Sequence, residues 1–173
     1  MVEFKKQLDT VTNKLKPNQV KAQMDQVVDG AKNMTPRQKA AAVIHTAAVT
    51  SAGIGAAPVP FADEAVIVPA QVAMISSLYK IYGRELKDGF ARGVSLSTLA
   101  TTFAKLTLGN LMKIVPGIGS LAGGAINASF AATITETMGW KIVDSLEKGE
   151  DVKPKDIQKS VNAALKLLNL KQK

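Results

Sequence analysis

Asp63 and Glu64 stand side by side at the end of a run with no charge, Ala40 to Ala62. Adjacent carboxylates are candidates for acid–base work or for holding a hard cation. The competing reading is electrostatic. Both follow Pro58 and Pro60, so they fall in the first turn of a new helix, where the helix dipole favours negative charge by roughly 0.3–1 kcal/mol each. The sequence favours this second reading. His45, the one histidine, sits in AVIHTAAV, an apolar helical run, and reads as a packed or hydrogen-bonded helix residue rather than a general base. Ser51, Ser76 and Ser77 have no His/Asp arrangement around them that spacing can reveal. With no cysteine there is no thiol nucleophile, thiolate metal site or disulfide, and a single histidine cannot build a multi-histidine metal centre.

Phosphate and nucleotide chemistry fare no better. Gly117-Ile118-Gly119-Ser120-Leu121-Ala122 satisfies the loose dinucleotide pattern Gly-x-Gly-x-x-Ala, but that pattern needs a preceding strand and a βαβ unit. Pro116 precedes it and nothing nearby reads as strand, so a helix-breaking turn is predicted. No Gly-x4-Gly-Lys-Ser/Thr run occurs. The expectation is a non-enzyme with no catalytic residue, no cofactor and no metal.

The elements that carry these residues all read as helix. Phe4, Leu8, Val11 and Leu15 form one face of a first helix, and Val20, Met24, Val27 and Val28 form that of a second, which ends near Gly30. Thr35 as N-cap and Pro36 at the first helical position start a third, which runs to Gly55. Ala62 to Tyr82 reads as a helix stopped by Gly83, with Pro69 either starting or kinking it. Arg84 to Gly93 reads as a short helix or loop, followed by a helix from about Ser95. Leu121 to Met138 reads as a helix stopped at Gly139. Pro154 opens a last helix with Ile157, Val161, Leu165 and Leu168 on one face and lysines around the rest. A shift of 56 residues places Pro60 on Pro116 and Gly83 on Gly139, which suggests a repeat of helix, Pro/Gly break and helix. The predicted fold is an all-α bundle of two packed antiparallel helical hairpins with amphipathic helical arms at both ends. Its parts are a basic arm over 1–34, a core over 35–145 and a basic C-terminal helix over 146–173.

Charge is unevenly spread. The net charge is +8, yet residues 41–140 hold six basic and five acidic residues, against eight and four in 1–40 and eight and five in 141–173. Basic flanks suit anionic lipid, nucleic acid or an acidic protein. Nucleic acid ranks last, because Phe4 is the one aromatic in the arms and base stacking needs more. Residues 40–62 and 114–135 carry no charge, but each run is cut by a Pro/Gly break to less than the roughly 20 residues of a spanning helix. They read as core helices that can touch or partly enter a membrane. The N-terminus lacks the apolar core of a secretory signal, so a cytoplasmic location, peripheral on the inner face of the membrane, is expected.

GIGAAPVPFADEAVIVPAQVAMISSLYKIYG and the later LMKIVPGIGSLAGGAINASFAATITETMGW together resemble the domain-of-unknown-function 697 family over roughly residues 40–145. The matching positions are Gly55, Pro58, Pro60, Phe61 and Asp63 in the first turn, Gln71 and Gly83 in the helix after it, Pro116, Gly117 and Gly119 in the second turn, and Gly139. The resemblance implies a bacterial helical domain found beside GTPases or in membrane proteins. The function expected is a non-enzymatic interaction module at a membrane surface or with a GTPase partner, open to homo-oligomerisation. The alternatives are a pore-forming or membrane-inserting protein and a soluble structural domain.

Overall fold

The computed structural model describes the backbone over residues 17–55, 62–108 and 121–171, and side chains over 18–53, 67–101 and 128–168. The chain there is all-α, as the sequence predicts: α1 is Pro17–Gly30, α2 Pro36–Gly55, α3 Ala62–Ile81, α4 Phe90–Leu108, α5 Leu121–Glu147 and α6 Pro154–Lys171. Residues 1–16 of the predicted basic arm lie outside the described residues. So do Pro58, Pro60 and Phe61 of the first predicted turn, and Pro116, Gly117 and Gly119 of the second.

The start of α2 is the one the sequence specifies. The Gln38 amide donates to Thr35 Oγ1 at 3.3 Å, and the Thr35 amide donates to Gln38 Oε1 at 2.9 Å. This reciprocal pair satisfies two donors that a helix start leaves open, and Pro36 occupies the position where a missing N–H costs nothing. Two other ends share one exit. The Arg84 amide donates to the Tyr79 carbonyl at 2.9 Å and the Gly83 amide to Lys80 at 3.2 Å; Glu150 donates to Ser145 at 2.9 Å and Gly149 to Leu146 at 3.1 Å. Gly83 and Gly149 take φ of 62° and 70°, the left-handed conformation that this exit requires.

Here the sequence reading needs correction. Gly149, not Gly139, is the stop of α5. Gly139 lies buried within the helix, and a β-carbon there would fall 2.6 Å from Ile44 Cγ1 on α2. The residue is small because two helices touch at that point. A second correction concerns α4, which begins at Phe90 rather than near Ser95 and carries Gly93 in its first turns. Pro69 does not start the helix; it lies inside α3.

α3 is the central element and packs on α1, α2, α4 and α5. Its buried residues surround it: Ile67, Val68, Ala70, Gln71, Ala73, Met74, Ile75, Ser77 and Leu78. A helix apolar on all sides belongs inside, which the near charge-free sequence of α3 permits. α2 and α5 form the most extensive pair, antiparallel, with Arg37 opposite Glu147, His45 opposite Glu136 and Ser51 opposite Thr135. α3 runs parallel to α5, with Gln71 beside Thr135 and Tyr82 beside Glu147. α6 buries Ile157, Val161 and Leu165 against α5 and α4.

Candidate functional site

Three groupings of polar residues emerge from this packing. The first is a ladder along the α2–α5 seam. Glu136 takes His45 Nδ1 on one carboxylate oxygen at 2.5 Å and accepts from Trp140 Nε1 on the other at 3.1 Å. The His45 and Trp140 rings meet edge to face, with centroids 6.4 Å apart. The Arg37 guanidinium lies 5.3 Å from the Trp140 ring centroid and pairs with Glu147. Glu147 also accepts from the Tyr82 hydroxyl at 2.9 Å. Burial, followed by that hydrogen bond, pushes the Tyr82 phenol up to about 12. Beyond it, Arg84 donates to the Gly149 carbonyl at 3.4 Å and lies 3.8 Å from Asp151. The ladder ties α2, α3 and α5 together at one end of the bundle. Its ion pairs are solvent-exposed and contribute about 0–1 kcal/mol each. It sets an imidazole against a carboxylate, with His45 Nδ1 on Glu136.

The second grouping is a buried triad. Gln71 Nε2 donates to Thr135 Oγ1 at 3.2 Å, and Thr135 donates to Ser51 Oγ at 3.1 Å. All three residues are sealed from solvent, and Gln71 Oε1 has no partner. The triad joins α2, α3 and α5 in their shared core. Sequence gives Gln71 as a family position but not its partners, because the three residues lie 64 and 84 positions apart.

The third is the outer face of α6. Lys155, Lys159 and Lys166 are exposed at spacings of four and seven residues, which stack them on one side of a helix over roughly 16 Å. None forms an ion pair among the described residues. Leu167 beside them is 62% exposed. The opposite face is the buried row Ile157, Val161 and Leu165. The described outer face of α1 differs: Asn18, Gln19, Gln23 and Gln26 accompany a single exposed lysine there, Lys21.

The other residues singled out by sequence fall as follows. Asp63 and Glu64 are the second and third residues of α3, in its first turn, and their side chains lie outside the described residues. Gly55 is the last residue of α2. Ser51 belongs to the buried triad, Ser76 bonds its own helix at the Val72 carbonyl, and Ser77 is buried. The ladder was missed by sequence reading. Its one local signal is the four-residue spacing of Glu136 and Trp140; the rest depends on the register of α2 against α5. Among the described residues, no group of three or more His, Cys, Asp or Glu could hold a metal ion, and no helix is long and apolar enough to cross a membrane.

Comparison with known proteins adds a relative and a family. The chain is 29% identical over 100 residues to a protein named "Magnetosome membrane protein 22" from Magnetospirillum gryphiswaldense. That match covers 55% of this chain and 51% of the relative, so the chain spans about half the length of the curated relative it matches. No solved structure matches the chain. The family described as "Domain of unknown function (DUF697)" matches residues 19–170, α1 through nearly all of α6, and the chain belongs to that domain-of-unknown-function 697 family.

Proposed function

We propose that the chain is a non-enzymatic helical interaction module that binds the anionic surface of a membrane through the lysine face of α6. The observation that carries this reading is the division of α6. Its apolar face is spent on the bundle, in Ile157, Val161 and Leu165, while the lysines of its cationic face form no ion pair among the described residues. A free amphipathic helix binds lipid by burying its apolar side. α6 cannot do so while packed, so its contact is electrostatic. A lysine near an anionic bilayer contributes about 1 kcal/mol. Three such residues give reversible, peripheral association that salt weakens. The name of the Magnetospirillum relative supports a membrane setting.

Vesicle flotation tests the reading. The protein is expected to rise with phosphatidylglycerol vesicles at low salt. It should stay behind with phosphatidylcholine vesicles, and also at about 1 M salt, where the screening length falls to about 3 Å. Failure to rise with anionic vesicles at low salt would remove the proposal.

A further inference from the structure

Over the described side chains, residues 90–101, the inner face of α4 holds Ala91, Val94, Ser95, Thr98 and Leu99, all buried. Two of these five are hydroxyl residues, and neither Ser95 Oγ nor Thr98 Oγ1 has a hydrogen-bond partner. Other helix hydroxyls return to the carbonyl four residues back: Thr46 to Ala42 at 2.8 Å, Thr50 to Thr46 at 2.8 Å, Ser76 to Val72 at 2.8 Å and, on α4 itself, Thr101 to Ser97 at 2.7 Å. Ser95 and Thr98 are thus withdrawn from water without the usual compensation, a state that disfavours the packed position of the helix.

The buried apolar residues described on α4 are few. Ala91, Val94 and Leu99 are its described buried apolar residues, Phe90 at the entry meets Tyr79 of α3 edge to face with ring centroids 6.1 Å apart, and Leu96 turns outward at 38% exposure. α3, by contrast, buries Ile67, Met74, Ile75 and Leu78. A pivot lies at the entry to α4. Residues 84–87 have no regular structure, Gly89 takes φ of 73°, and exposed Gly93 has open space where a β-carbon would go. The Gly93 amide donates to the Gly89 carbonyl at 2.8 Å, so the first turn of the helix is built between two glycines.

We infer that α4 is a releasable helix. It parts from α3 and α6 about the Gly89–Gly93 turn while the rest of the bundle stays folded, and the unpartnered hydroxyls of Ser95 and Thr98 set how readily it does so. Once free, both hydroxyls gain water or their own helix carbonyls, which offsets part of the cost of exposing the helix's apolar face. The opening stands independently of membrane binding. Its use, presenting the Ala91–Val94–Leu99 face to interfacial lipid, rests on the function proposed above.

Native-state hydrogen exchange on the full chain, without vesicles, tests the opening. Amides of α4 are expected to exchange at least about tenfold faster than those of α3 and α5, through an opening that leaves α3 protected. The double substitution Ser95→Ala with Thr98→Val should slow α4 exchange by about tenfold or more and raise the melting temperature, because it removes the unpartnered groups and keeps the volume. Exchange of α4 in step with α3 would overturn the inference. So would a double variant whose α4 exchanges as fast as wild type or which melts lower, since the hydroxyls would then be satisfied by internal water. Vesicle flotation of the same wild-type protein reports separately on the membrane reading, so either idea can fail alone.

Discussion

Gly139 on α5 lies against Ile44 on α2 so closely that a β-carbon at 139 would sit 2.6, 3.0 and 3.1 Å from Ile44 Cγ1, Cδ1 and Cγ2. The most extensive helix pair of the bundle is thus set at a distance that only glycine allows. All three atoms belong to the Ile44 side chain, so that side chain or its helix must shift to admit a methyl group.

Gly139→Ala is therefore expected to destabilise the protein by about 1–3 kcal/mol, the usual cost of overpacking a core. Ile44→Ala opens a cavity and costs about 2–5 kcal/mol alone. The double variant should lose less than the sum of the two, because the new methyl enters the space left by Ile44. Denaturant melts of the four proteins check this; strict additivity would place the residues out of contact.

A different cost applies in the buried triad. Thr135→Val leaves the Gln71 amide and Ser51 without their shared partner and should cost about 1–3 kcal/mol. Replacing all three together, Ser51→Ala, Gln71→Leu and Thr135→Val, should recover most of that loss, since no sealed polar group of the triad then remains. Thermal melts of the single and triple variants decide it. A triple variant as unstable as the single one would mean that the hydrogen bonds themselves hold the three helices.

Tyr82 gives a pH dependence of definite sign. Its phenol titrates near 10.0 when unperturbed, and burial with the Glu147 hydrogen bond pushes it up to about 12. Between these values the folded chain keeps a proton that the unfolded chain releases, so its contribution is complete below pH 10 and is lost as pH rises through 12. The group is only partly buried, so solvent reduces the effect. A fall of about 2–4 °C in melting temperature is expected from this residue. Tyr82→Phe should melt with a flatter profile across that window, measured against wild type in the same buffers.

The reach of the sequence follows the range of the forces involved. Thr35 and Pro36 were readable as a helix start because a capping box is complete within four residues. Gly83 was readable as a stop for the same reason. Gly139 was misread because the letter Gly serves two ends, a left-handed exit and a close helix contact, and only the partner helix tells them apart. The 56-residue repeat then paired Gly83 with Gly139, whereas the matching exit is at Gly149, with the same two hydrogen bonds. His45 with Glu136 and Ser51 with Thr135 lie 91 and 84 residues apart, and nothing local in either stretch fixes their register. The apolar row of α6 was plain from its periodicity. That this row is buried in the bundle, leaving the lysines outside, required the fold.

The most direct measurement compares two charge-reversal variants by flotation with phosphatidylglycerol vesicles at low salt. One carries Lys155→Glu, Lys159→Glu and Lys166→Glu. The other carries Lys21→Glu, Lys32→Glu and Lys87→Glu, three exposed lysines off α6, so both change net charge equally. With about 1 kcal/mol per lysine, the α6 variant should bind on the order of a hundredfold or more weakly than wild type, while the control stays close to it. Equal loss in the two variants, or flotation of the α6 variant at the wild-type level, would contradict the assignment of the membrane-binding face to α6.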